Sequence, residues 1–171
     1  GNTGSRQARS PNSAGSNEVH ACRPHQAQGG KSMKTISLKF DGYWREAKKD
    51  HIPKVSGIYC VYACSHNPDK KTVSIRELIY VGESLDVHER LASHERVRDW
   101  EKRLRYGETL CYSVAEVGSG DRVRAEATVI YRHKPPCNTE CTNRFPFENT
   151  VIKTSGMNKF LDTEFTVFTK M

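Results

Sequence analysis

Tyr59 and Tyr80 each stand in a triplet with a glycine, Gly57-Ile58-Tyr59 and Tyr80-Val81-Gly82, inside short runs of Ile, Val, Tyr and Cys. Glycine in a strand lets another backbone or a ligand come close, and a phenol there can donate a hydrogen bond or, with help, move a proton. Most strand tyrosines only pack. Arg90 and His94 are four residues apart in the segment after Gly82; on a helix both leave one face. Arg90 shares that face with Val87 and Leu91, where a half-shielded guanidinium needs an anion. A surface arginine with an incidental histidine is the plainer alternative. At about 100° per residue, Val123, Glu126, Ala127 and Ile130 fall within an arc of roughly 100°, so Glu126 borders the buried stripe of its helix. A carboxylate so placed wants a metal or an arginine, and Arg122 and Arg124 are near in sequence. Asn138 follows Pro135-Pro136-Cys137, which stop the helix and set its amide in a turn; alone that is ordinary turn chemistry.

Taken together, these residues resemble the GIY-YIG nuclease family: a GIY triplet, a YVG triplet, an arginine ten residues beyond the second tyrosine, then a glutamate and an asparagine, in that order. The stretch YVGESLDVHERLASH, with its histidine four residues after the arginine, adds to the likeness, which covers roughly residues 53–140. The resemblance implies an α+β fold, a small three-stranded antiparallel sheet flanked by helices. It implies DNA as partner and hydrolysis of its phosphodiester bonds with one Mg²⁺ or Mn²⁺ ion on Glu126. Tyr59 would then bear the general base, Tyr80 would orient water or phosphate, Arg90 would neutralise charge on phosphorus, and Asn138 would fix the geometry. A phenol near pKa 10 needs help to act as a base at neutral pH, and His94 is the candidate relay. Several family members carry a lysine directly after the YVG triplet. This chain has Glu83 there, so a lysine's role would pass to His94, Lys70 or Lys71, or to none.

These residues require elements to hold them. Residues 55–64 and 77–81 read as two strands of a hairpin joined by His66-Asn67-Pro68-Asp69-Lys70-Lys71. Asp86 and Glu89 form a capping box for a helix carrying Val87, Leu91, His94 and Glu95. A second helical set spans Asp99 to Tyr106, and residues 110–117 alternate as a third strand. Asp121 reads as the N-cap of a helix from Arg122 to His133, which Pro135-Pro136 closes. Thr150–Thr154 and Glu164–Thr169 suggest two further strands around Ser155-Gly156. The organisation expected is a disordered, tag-like leader over 1–32, a catalytic domain over 33–140 and an extension over 141–171 packed on or beside it.

The leader is rich in Gly, Ser, Asn, Gln and Pro and has almost nothing to anchor a core. The chain of 171 residues carries a net +7, but Arg6, Arg9, Arg23 and Lys31 against Glu18 put +3 of it in the leader, leaving a mildly basic remainder. A polyanionic partner fits that sign. Candidate DNA contacts are Lys70, Lys71, Arg96, Arg98 and Arg144, although the run Arg96 to Arg105 interleaves Asp99 and Glu101 and reads first as a solvated helix face. No apolar run approaches the roughly 18–20 residues a bilayer demands, and no apolar signal core opens the chain. Six cysteines are too few for a disulfide scaffold, so reduced thiols in a cytoplasm are expected. Cys60 and Cys64, roughly 13 Å apart along a strand, cannot share a zinc and read as core fillers; a metal at Cys137 and Cys141 is the lesser reading there.

Residues 33–54, including Tyr43-Trp44-Arg45, and the tail 139–171 are the candidates for target selection. In the tail, Phe145 and Phe147 read as core before base stacking. A homodimer through Trp44, Phe160, Phe165 or Phe168 would extend a short recognition surface. The competing function is a non-catalytic nucleic-acid-binding or adaptor module. Retention of all five positions argues for the enzyme, since a degenerate copy should have lost one.

Overall fold

The computed structural model describes residues 33–170, and the expected leader over 1–32 lies outside them. In chain order it comprises β1 (Lys34–Arg45), a 3-10 turn (Glu46–His51), β2 (Gly57–Asn67), β3 (Thr72–Ser84), α1 (Val87–Ala92), α2 (Val97–Glu101), β4 (Thr109–Glu116), α3 (Ser119–His133), β5 (Thr150–Gly156) and β6 (Glu164–Val167). The expectation of a small three-stranded antiparallel sheet flanked by helices is overturned. All six strands form one mixed sheet in the order β3-β2-β4-β1-β5-β6. The hairpin and third strand read from the sequence are β2, β3 and β4, antiparallel throughout, but the sheet continues through β1, which pairs antiparallel with β4 and parallel with β5. Ile36, Leu38 and Phe40 of β1 alternate inward with exposed neighbours, and each needs a partner surface that three strands do not supply.

Helix is sparse. α1 has six residues and α2 five; the fifteen-residue α3 is the only long helix described. It touches β2 and β3 near one edge of the sheet and β5 and β6 at the other, so the sheet curls around it like half a barrel. The first core cluster lies on that concave face, where Ile58, Cys60, Tyr62 and Cys64 of β2 meet Ala125, Val129 and Ile130 of α3 and Ile152, Phe165 and Val167 of the last two strands. The alternate residues Tyr59, Val61 and Ala63 join a second cluster with Ile52, Val87, Leu91 and Trp100, beneath the 3-10 turn, α1 and α2. Covered on both faces, β2 is buried from Gly57 to Cys64. This is why its sequence reads as a nearly continuous apolar run.

Several local readings are corrected. α3 begins at Ser119 with Gly118 at the cap, so Asp121 sits inside its first turn. Asp86 does cap α1, accepting from the Glu89 N–H at 3.0 Å, but the helix ends at Ala92 and Ser93 is extended. Cys64 is bridged to Cys111, joining β2 to β4 with Cα atoms 6.2 Å apart, and Cys141 is also disulfide-bonded. The reduced-thiol expectation fails for these three; for Cys64 and Cys111 the reason is that the sheet brings together cysteines far apart in sequence. Cys141 in a disulfide cannot serve as a thiolate ligand, which removes the metal reading with Cys137. Cys60 remains a buried free thiol, pushed up to about 12 by burial, as befits a core filler. Phe145 is buried in the first cluster with Phe147 against it. Phe165 is buried too and unavailable to a dimer surface, while Phe160 and Phe168 are exposed. Among the described residues, no helix is long and apolar enough to cross a membrane.

Candidate active site

β3 is the edge strand that pairs only with β2, and the candidate residues gather around its C-terminal end. The two triplets lie side by side there, with Tyr59 opposite Gly82 and Gly57 opposite Ser84. Both glycines are required. A Cβ on Gly82 would collide with the Tyr59 ring and hydroxyl, and one on Gly57 would run into the Ala115 carbonyl of β4. The phenol of Tyr59 therefore lies directly over Gly82, and the glycine of the second triplet exists to seat the tyrosine of the first.

His94 does not reach the site as an i,i+4 partner of Arg90 on one helix, as the spacing suggested. Because α1 stops at Ala92, His94 stands on the link to α2, its ring centroid 4.4 Å from that of Trp100 and 5.7 Å from that of Tyr80. The Arg96 backbone N–H donates to Nδ1 at 3.0 Å, so Nδ1 carries no proton. In the neutral ring the proton is then on Nε2, 3.0 Å from the Tyr59 oxygen. Tyr59 accepts this bond, and its own hydroxyl hydrogen is directed elsewhere. Burial, followed by the Arg90 charge, lowers the His94 pKa to about 4 against the opposing pull of Glu95, which keeps the ring neutral near pH 7. His94 is built to donate to the Tyr59 oxygen, so taking its proton through Nε2, the relay expected from the sequence, is excluded.

Tyr59 is buried, and burial raises its pKa well above 10; the neighbouring Tyr80 and Glu126 add to this and Arg90 opposes it. Tyr80 is pushed up to about 12, by burial first and by Glu126 next. Both are phenols rather than phenolates at neutral pH. Arg90 stands close enough to act on both tyrosines, but its guanidinium forks onto Glu95 through two bonds of 2.7 Å. That fork holds the Glu95 carboxyl down at about 2.

Glu126 enters from α3, 7% exposed, and its Oε2 has no hydrogen-bond partner among the described residues. Burial raises its pKa well above the usual carboxylate range; Glu83 and Glu140 add to the rise and Arg122 opposes it. An unpartnered buried carboxylate oxygen beside two further carboxylates takes either a proton or a hard cation. Arg122, the sequence neighbour that offered the bland explanation, is committed to Glu83 and to the Ser56 hydroxyl at 2.8 Å. Among the described residues no group of three or more His, Cys, Asp or Glu side chains is arranged around a metal. An ion on Glu126 would fill its remaining positions with water and ligand oxygens, as Mg²⁺ does readily.

Asn138 is a clamp. Its Oδ1 accepts from the Val81 N–H and its Nδ2 donates to the Val81 carbonyl, both at 2.9 Å, while the Cys137 N–H reaches the Ile79 carbonyl at 3.0 Å. The turn after α3 thus finishes the open edge of β3 and fixes the strand that carries Tyr80 and Gly82. It touches neither tyrosine hydroxyl.

The remaining candidates scatter. Arg96 is held by Asp99 at 2.9 Å and the Cys137 carbonyl at 2.7 Å and is not free for DNA. Arg98 on α2 and Arg144 after α3 are exposed, as are Lys70 and Lys71 in the β2–β3 turn. That turn follows Asn67, eight residues along β2 from Tyr59, roughly 25 Å away at about 3.3 Å per residue. Neither lysine can serve Tyr59. Glu95, Trp100 and the Glu83–Arg122 pair also shape the site; the sequence marked Glu83 only as standing where a lysine is expected and Arg122 only as a neighbour of Glu126, because only the break at Ser93 and the packing of α3 beside β3 bring these residues in. Compared with protein-family models, curated proteins and solved structures, the chain matches none.

Proposed function

We propose that the protein is a metal-dependent DNA endonuclease with GIY-YIG-type chemistry. The observation that carries this reading is the meeting of a hydroxyl–imidazole pair, a guanidinium and a buried carboxylate with an unpartnered oxygen at one end of an edge strand. Glu126 would hold one Mg²⁺ or Mn²⁺, whose chemistry is Lewis-acid polarisation of the scissile phosphate. Tyr59 would first release its own proton to solvent hydroxide and then take one from the attacking water, while a second water protonates the departing oxygen. The His94 Nε2–H and the Arg90 guanidinium stabilise its phenolate. Neutralising the Glu126 carboxylate removes one of the charges that hold the Tyr59 proton in place. Tyr80, a hydrogen-bond donor at neutral pH, orients water or phosphate. Arg90 stabilises the charge gathering on phosphorus when a phosphate displaces Glu95 from its fork. Asn138 is a positioning residue. The exposed Phe160 and Phe168 offer a surface for a homodimer.

One observation favours the alternative of a non-catalytic nucleic-acid-binding module: Arg90 is closed on Glu95. That reading predicts salt-sensitive DNA binding without cleavage. The deciding experiment is nicking of supercoiled plasmid in Mg²⁺. The enzyme reading expects cutting by the wild type and a loss of about 100-fold or more in Glu126→Ala and Arg90→Ala. Undiminished cutting by Glu126→Ala would sink the metal assignment, and binding without cutting by the wild type would establish the alternative.

A further inference from the structure

A second feature of the molecule lies away from this cluster. Where the end of β1, the 3-10 turn and the β2–β3 hairpin meet, a groove of about 660 Å³ is lined by Tyr43, Trp44, Arg45, Lys48, His66 and Lys71 among others, with no carboxylate among the described residues of its wall. The sheet builds this wall through an irregularity. The pairing of β1 with β4 shifts between Gly42 and Trp44, so Tyr43 is the extra residue of a bulge. Tyr43 packs toward the first core cluster and Trp44 toward the second, which sets two aromatic side chains at the end of the sheet. Tyr43 is fixed edge-on against Tyr62, ring centroids 5.4 Å apart, and its hydroxyl accepts from the Lys159 N–H at 3.1 Å. Trp44 is only half-buried. Both rings are held without a ligand, so stacking on them costs little side-chain entropy.

The charge of the groove is as one-sided as its shape. Lys49 is spent on Glu46 at 2.7 Å, but Arg45, Lys48 and Lys71 have no ion-pair partner among the described residues, and Lys48 and Lys71 are exposed in the same lining as the two rings. Unpaired cations flanking rigid rings suit a strand that alternates phosphates with flat bases. A duplex keeps its bases stacked on one another and offers the rings nothing. An acidic peptide would use the cations and leave the aromatics idle.

We infer that this groove is a second nucleic-acid site, which takes a single-stranded polynucleotide segment by stacking bases on Trp44 and Tyr43 and pairing phosphates with Arg45, Lys48 and Lys71. Binding here uses none of Tyr59, Arg90 or Glu126, so the inference stands apart from the nuclease reading. It also gives work to Tyr43-Trp44-Arg45 and Lys71, which the reactive cluster leaves unused.

The test is titration of a labelled ten-residue oligothymidylate into the full chain, in EDTA and on the Glu126→Ala background so that cleavage cannot intervene. The single strand is expected to bind more tightly than a duplex of the same length and to quench tryptophan emission. The quench reports Trp44, since Trp100 is fully buried. Trp44→Leu should abolish the quench and weaken binding roughly 5- to 100-fold, the loss of about one stacked base. Lys48→Glu with Lys71→Glu, two exposed changes that leave the core intact, should weaken binding at least about 10-fold. The same pair should flatten the dependence of log K on log salt by about 1.4, the share of two phosphates on a single strand. Unchanged affinity in the double variant would overturn the inference. So would equal affinity for the duplex, or competition by polyglutamate at equal charge. A protein that binds the oligonucleotide but never nicks a plasmid refutes the nuclease reading alone, and one that nicks without binding it refutes this inference alone.

Discussion

Glu126 pairs its proposed task with a cost to the fold. Its carboxyl is buried, one oxygen lacks a partner, and its pKa in the folded state lies well above the unfolded value. The contribution of such a group is fully present below the unfolded value near 4.5 and is lost as pH rises toward the folded one. Wild-type stability should therefore decline relative to Glu126→Gln as pH rises above about 4.5. In EDTA at pH 8 the variant should be the more stable by about 1–3 kcal/mol, the scale of an unsatisfied buried polar group. Thermal melts at several pH values check this, and Mg²⁺ should restore the wild type while leaving Glu126→Gln unmoved. Equal melts across pH, with and without Mg²⁺, would mean that Glu126 has a protein partner after all. That Glu126 borders a buried stripe was legible from its helical phase. That Arg122 turns away from it to Glu83 and Ser56 was not, because a side chain four residues along the same helix is the partner that spacing alone would choose.

At the scale of elements, edge strand β3 and the turn after α3 depend on one another. Asn138 supplies both of its hydrogen bonds to the Val81 backbone, so Asn138→Ala should cost about 1–3 kcal/mol. It should also remove most of the hydrogen-exchange protection of the Val81 amide, while Cys60, paired within the centre of the sheet, keeps its own. Retained protection at Val81 would show that another group closes the edge. The strands β2, β3 and β4 and the cap of α1 could be read from local pattern, since alternation and an Asp–Glu box act over a few residues. The end of α1 could not. Val87, Leu91 and His94 keep helical phase through the sequence, yet Ser93 is extended so that His94 can lodge against Trp100 and under Tyr59, a tertiary contact that outweighs a continued helix. Residues 34–45, expected only to take part in target selection, form β1, and the alternation of Ile36, Leu38 and Phe40 says nothing of the parallel partner β5, over a hundred positions away.

For the molecule as a whole, the tail is part of the sheet rather than an appendage. Ile152, Leu161, Phe165 and Val167 lie in the first core cluster, and β5 covers one edge of β1. A chain ended at residue 140 should aggregate on expression rather than yield a folded domain over 33–140, with an exposed β1 edge and an open apolar face as the cause; a cooperative melt from that fragment would refute this. Replacing Cys64 and Cys111 together by Ala should lower stability by up to about 4 kcal/mol. That is the chain-entropy value for a bridge between residues 47 apart, and it can be measured by chemical denaturation. By itself the sequence determined much of the local and the compositional: five of the six strand runs, β1 being missed, where the long helix lies, and which polar side chains sit where an apolar face would place them. Only the tertiary structure decided that three strands become six, that Cys64 meets Cys111, that Tyr59 lies over Gly82, and that His94 gives the Tyr59 oxygen a hydrogen bond instead of taking its proton. Those outcomes rest on pairings between distant residues and on hydrogen-bond directions that burial imposes, and neither leaves a period in the chain.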